Sequence, residues 1–192
     1  MTPQDVLDFW FGAPGSADAG QVRRAWFVKD EAFDALIRER FGATIDAAVA
    51  GGLREWDDGG PPGVLARLLV LDQFTRNAWR GTPRAFAGDA LALAAAQRLV
   101  RAGADRALPP QQRAFVYMPF EHAEDAAMQA RAVELFGALA AAHPGFDEML
   151  DYAHRHRAVI ARFGRFPHRN AILGRASTPQ ELAFLAQPGS RF

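Results

Sequence analysis

Along most of this chain, apolar residues recur at the three- and four-residue spacing of a helix with one buried face. Phe33, Leu36, Ile37, Phe41, Ile45 and Val49 form one such stripe, which Gly51-Gly52 ends. Residues 64–74, VLARLLVLDQF, are apolar on nearly every side, the pattern of a central buried helix. Further helices are predicted over 89–102, stopped by Gly103, over 121–142, stopped by His143-Pro144-Gly145, and over 146–163, stopped by Gly164. Thr2-Pro3 and Thr178-Pro179 each set a hydroxyl at the N-cap and a proline at the first helical position. Each also carries an acid three residues after the threonine, Asp5 and Glu181. Thr82-Pro83 repeats the start signal without the acid. No stretch alternates with the period of two that a half-buried strand needs. The pattern predicts an all-α protein, a compact array of seven to nine antiparallel helices joined by short Gly/Pro turns, in a single domain over 1–192.

No solenoid register of fixed period can be laid along the chain. A smaller echo exists: Phe74-Thr75-Arg76-Asn77-Ala78 with Gly81 following resembles Phe166-Pro167-His168-Arg169-Asn170-Ala171 with Gly174 following. Both pieces precede a Thr-Pro helix start.

Composition narrows the function classes. With 49% apolar and 23% charged residues over 192 positions, the chain can bury a real core and fold alone. Acids and bases cancel at 22 each, so no global field draws it to nucleic acid or an anionic membrane. The absence of cysteine removes disulfides, a thiolate nucleophile and Cys-ligated metal. No basic segment leads into a long apolar stretch at the start, and no run is long enough to span a membrane, so a cytoplasmic location is expected. Lys29 is the only lysine; the other cations are arginines.

Three polar groups stand out against this background. In LVLDQFTRNAWR, Asp72, Arg76 and Arg80 lie four residues apart on one helical face, and Gln73 and Asn77 share the adjacent one. Polar groups on so apolar a helix must form a satisfied network or line a wet pocket. In FVYMPFEHAEDAAMQ, Pro119 is expected to start or kink a helix at Phe120-Glu121, which explains Glu121, Glu124 and Asp125 as first-turn acids. His122 is left over. At spacings of three and seven residues, His122, Asp125 and Gln129 share a face, so a carboxylate, Asp125 or Glu121, can orient the imidazole as a general base requires. No recognised metal-ligand spacing is present, and no metal or other cofactor is expected. Finally, Tyr152 to Gln180 contains no acid, while Arg155, Arg157, Arg162, Arg165, Arg169 and Arg175 gather beside His154, His156 and His168. These arginines either neutralise the acids of 121–125 or offer an anion site. The run lacks the interleaved stacking aromatics of a nucleic-acid surface. Trp10, Phe11, Trp26, Phe27 and Trp56 read as core.

LDQFTRNAWRGTPRAFAGD (71–89), FVYMPFEHAED (115–125) and RFGRFPHRNAILGRASTPQELAFL (162–185) resemble the signature blocks of the bacterial domain-of-unknown-function 924 family. VLDFWFG (6–12) and AWFVKDEAFD (25–34) are similar to its N-terminal blocks, so the resemblance covers most of the chain. It implies a tetratricopeptide-repeat-like array of antiparallel helices and brings no established activity. On such a scaffold the expected function is binding of a small anionic molecule or peptide segment in a concave polar pocket. Asp72, Gln73, Arg76, Asn77, Arg80, Arg165, His168, Arg169 and Asn170 are its candidate lining, with Arg76 and Arg169 holding the anion and Asn77 and Asn170 hydrogen-bonding on two sides. The alternatives are a hydrolase with His122 as base beside Asp125 or Glu121, and a structural or interaction scaffold. No partner membrane or nucleic acid is expected, and the sequence does not reveal an oligomeric state.

Overall fold

The computed structural model describes residues 1–190, and none of them lies in a β-strand. The chain forms α1 (Pro3–Phe11), α2 (Glu31–Val49), α3 (60–78), α4 (Asp89–Arg101), α5 (Pro110–Glu121), α6 (Ala126–Ala142), α7 (Asp147–Phe163) and α8 (Pro179–Leu185). The all-helical class and the number of helices among the described residues agree with the periodicity. Both capping boxes form as expected. Thr2 Oγ1 accepts the Asp5 N–H at 3.2 Å while the Asp5 carboxylate accepts the Thr2 N–H at 2.7 Å. Thr178 and Glu181 do the same at 3.2 and 2.7 Å. Each pair satisfies two donors that a helix start leaves open.

The chain divides into two compact units, residues 1–80 with 84–119 and residues 81–83 with 120 onward. In the first unit α3 is central: α1, α2 and α4 all pack against it. Leu65, Leu68, Leu69, Val70, Leu71 and Phe74 are fully buried along it, which is why this stretch is apolar all round. Phe74 meets Trp10 at 5.5 Å and Phe41 at 4.8 Å between ring centroids, and Trp10 meets Phe115 edge-on at 5.6 Å. In the second unit α6 and α7 pack together across a short turn, and Val159, Ile160 and Phe166 form a core flanked by Phe163 and Phe184.

Three local expectations need correction. Leu36 and Phe27 are exposed, and the buried face of α2 passes instead through Asp34, Ile37, Phe41, Ile45 and Ala48. The predicted helix at 121–142 begins only at Ala126, because α5 runs through Pro119 to Glu121 before the chain turns. Within α3, residues Val70–Phe74 form a π-helical turn, which the apolar pattern does not betray.

That π turn leaves carbonyls to be satisfied and re-aims the polar side chains. Thr75 Oγ1 donates back to Leu71 O at 2.9 Å and lies 3.2 Å from Asp72 O. Gly88, at the start of α4, sits directly on the same carbonyl: a Cβ there would lie 2.1 Å from Leu71 O. Gly88→Ala should therefore force α4 off α3 and cost about 1–3 kcal/mol in chemical denaturation. Gly59→Ala, where a Cβ meets nothing within 4 Å, should change stability by less than about 1 kcal/mol.

Candidate functional site

The candidate residues fall into the two units, each with its own network. In the first, the π turn carries Asp72 and Gln73, both buried. Asp72 Oδ2 accepts from Gln73 Nε2 at 2.5 Å, and Asp72 Oδ1 lies 3.0 Å from Arg76 Nη1. Arg76 also donates to the Asp72 carbonyl at 2.9 Å and forks onto both oxygens of Asp89, from α4, at 2.8 and 3.0 Å. Burial alone would lower its pKa, yet the Asp72 and Asp89 charges together hold it above its ordinary value.

Asn77 and Arg80 turn to a different acid. Asp34, buried on α2, accepts from Asn77 Nδ2 at 2.7 Å and from Arg80 Nε and Nη2 at 2.9 and 3.0 Å. Arg80 thus leaves the face it was expected to share with Asp72 and Arg76, because α3 ends at Ala78. Asp34 and Asp89 were not anticipated as partners. The available signal for Asp34 was a carboxylate set among the apolar residues of the α2 stripe.

In the second unit the 121–126 turn changes the expected roles. Asp125 is the N-cap of α6, accepting the Met128 N–H at 2.9 Å, so it does not share a helical face with His122. The Glu121 carboxylate meets a different imidazole: His156 Nδ1 lies 2.8 Å from Glu121 Oε1 and 2.8 Å from the Tyr152 carbonyl. Both neighbours accept, so Nδ1 carries the proton. The His122 and His156 rings stand 6.3 Å apart. Gln129 braces the turn by donating to Glu121 O at 2.5 Å and Ala123 O at 2.8 Å.

Glu124 organises the remainder. It accepts two bonds from Arg175, at 2.6 and 2.9 Å, and the Phe166 N–H at 2.7 Å. Burial pushes its pKa up, but Arg175, the Phe166 N–H and the charge of Arg169 together bring it below the usual value. Arg175 Nε reaches Asn170 Oδ1 at 3.0 Å, while Asn170 Nδ2 donates to Ser177 Oγ at 3.0 Å. Arg165 forks onto Glu181 at 2.7 and 2.9 Å. Arg169, buried, donates to the His122 carbonyl at 3.0 Å and lies over the Phe166 ring at 4.5 Å. His168 packs against the same ring, 5.6 Å between centroids. Among the described residues, no group of three or more His, Asp or Glu side chains is placed to hold a metal ion.

The family model of bacterial proteins of unknown function designated DUF924 matches residues 6–189. The chain belongs to the DUF924 family. A solved structure of a protein of unknown function, ATU0120 from Agrobacterium tumefaciens, is similar to this DUF924 chain at 41% identity and a TM-score of 0.81, with 96% of each chain covered. No curated protein matches it. No helix among the described residues is long and apolar enough to cross a membrane.

Two outcomes follow for this DUF924 chain. Removing Arg76 takes from the fully buried Asp72 the guanidinium that meets its Oδ1, so Arg76→Ala should lose about 3–5 kcal/mol in urea unfolding. A loss below about 1 kcal/mol would mean that Asp72 is satisfied without it. The bonds from Arg165, together with the Thr178 N–H, outweigh burial and hold Glu181 at a pKa of about 2, against an ordinary 4.5. A carboxylate depressed in this way adds stability above its unfolded pKa and loses it as pH falls through about 2. In Arg165→Gln, carboxyl NMR should show Glu181 titrating nearer 4.5, and acid unfolding should begin at higher pH.

Proposed function

We propose that this protein is a binding module for a small anionic ligand or an acidic peptide segment, and that the anion is held in the second unit beside Arg169. The observation that carries this reading is that two guanidiniums, Arg175 and Arg169, act on one carboxylate, Glu124. Arg175 meets it through a two-pronged bond, and Arg169, which also reaches a main-chain carbonyl and the face of Phe166, adds a second positive charge beside it. Residues 152–180 hold six arginines and no acid, a local excess of positive charge, and forked guanidinium donors bind carboxylate and phosphate well. His122 and His168, both half-buried, are the neighbouring imidazoles able to add donors. Arg76, Arg80 and Arg165 support the fold in this reading, and Asn170 fixes Arg175 instead of touching ligand. A binding role would also suit the tetratricopeptide-like array that the sequence resemblance implies, since such arrays take extended or small guests.

Hydrolysis of an anionic substrate is a second reading, supported by one observation: the Glu121–His156 pair is a carboxylate-oriented imidazole, the arrangement of a general base. On that reading His156 replaces His122 as the oriented base, and His156→Ala should abolish turnover of an anionic ester.

The test of binding is thermal denaturation with phosphate, sulfate and succinate at matched ionic strength. A ligand at 100 times its Kd adds about 2.7 kcal/mol, which in a chain of this size raises Tm by roughly 5–10 °C. Arg169→Gln should remove the increase, and Arg76→Gln should lower Tm while keeping it. The reading fails if no anion raises the wild-type Tm, or if Arg169→Gln responds as the wild type does.

A further inference from the structure

The first unit contains a cleft of about 210 Å³ lined by Ile45, Asp46, Val49, Ala50, Thr75, Trp79, Arg84 and Ala87. The C-terminal half of α2 supplies one wall, the end of α3 the second, and the turn before α4 the third. Ile45, Val49, Ala50 and Ala87 make it apolar, and the Thr75 hydroxyl is already bonded within α3. Charge enters in one place: Arg84 pairs with Asp46 and lies over the Trp79 ring at 3.8 Å.

This pair serves the fold poorly. Its side chains are 54% and 63% exposed, so water and salt screen it, and opening it costs little. It differs in that from the clamps on Asp72, Asp34 and Glu181, whose acids are buried. The two rim charges also cancel. A guest with net charge would satisfy one of them and leave the other opposed, whereas a guest carrying both charges, with no net charge, satisfies both. At ~30 Å³ per water, the cleft holds about seven waters, below the usual range of drug-sized pockets. That is room for a free amino acid with a branched aliphatic side chain, which matches the apolar lining.

We propose that this cleft binds a free aliphatic α-amino acid of about the size of leucine. Its carboxylate forks onto Arg84, its ammonium meets Asp46, and its side chain lies against Ile45, Val49, Ala50 and Ala87. One exposed ion pair is exchanged for two charge-assisted contacts, and apolar surface is buried on both partners. Because Arg84 leaves or shifts on the Trp79 face, the indole reports the event. This site is separate from the anion site near Arg169 and does not rest on it.

The experiment titrates the full chain with L-leucine, with 4-methylpentanoate, which lacks the ammonium, and with 3-methylbutylamine, which lacks the carboxylate. Binding is read by calorimetry and by the indole N–H resonance of Trp79, assigned by its loss in Trp79→Phe. L-leucine should bind at millimolar concentration or below and shift the Trp79 signal saturably. Each truncated analogue should bind about tenfold or more weakly. Asp46→Asn and Arg84→Gln should each weaken leucine binding by a similar factor with Tm unchanged, since the pair is exposed. Ala87→Leu should fill the cleft and abolish binding, and Arg169→Gln should bind leucine as the wild type does. The proposal is overturned if leucine produces neither heat nor a Trp79 shift, if either analogue binds as tightly as leucine, or if Asp46→Asn and Arg84→Gln leave its affinity intact.

Discussion

A carboxylate withdrawn from water must be met by donors, and that requirement arranges nearly all the polar chemistry of this chain. Asp34 receives Asn77 and both prongs of Arg80. Asp72 receives Gln73 and Arg76, and Glu181 receives Arg165 and the Thr178 N–H. Glu124 receives Arg175 and the Phe166 N–H, which ties the start of the 166–170 turn to the 121–126 turn. Each acid fixes a segment that has little regular structure of its own: the end of α3, the π turn, the approach to α8 and the loop after α7. The arginines engaged in this way are structural elements as much as the leucines of α3 are.

What could be read in the sequence was what depends on neighbours in the chain. The Thr2/Asp5 and Thr178/Glu181 capping boxes and the fully buried character of Leu65 to Phe74 are local, and both are present. The helix stops at Gly103 and Gly164 are local as well, each glycine taking a left-handed conformation. The pairings were not legible, because Asp34 and Asn77 are 43 residues apart and Glu124 and Arg175 are 51 apart. Nothing in a single sequence says which of many arginines meets which acid. The 121–126 turn was misread for a different reason. Proline favours a helix start, but Pro119 here stands near a helix end, where the N–H it lacks costs one bond before the chain turns at Glu121. Moving that boundary converts Asp125 from a partner for His122 into a cap, and gives Glu121 to His156.

These pairings change which candidates deserve a functional role. Asp72, Gln73, Arg76, Asn77 and Arg80 looked like pocket lining because so much polarity on an apolar helix is expensive unless it is used. It is used, in holding α2, α3 and α4 by their carboxylates. Arg169 reaches the His122 carbonyl and the Phe166 face, and its charge adds to that of Arg175 at Glu124. The repeated Arg-Asn-Ala pieces therefore differ: in one the arginine closes an ion network with Asp72 and Asp89, and in the other it is the cation that we propose meets a ligand.

We propose that Arg169 holds an anion, whereas Arg76 and Arg80 are engaged by the buried acids Asp72 and Asp34. Side-chain ¹⁵N NMR of the arginines during a phosphate titration tests it most directly. The account predicts that the Arg169 Nε resonance shifts saturably, with the His122 and His168 imidazoles following, while Arg76 and Arg80 stay still. A phosphate-dependent shift at Arg76 or Arg80 with none at Arg169 would contradict it.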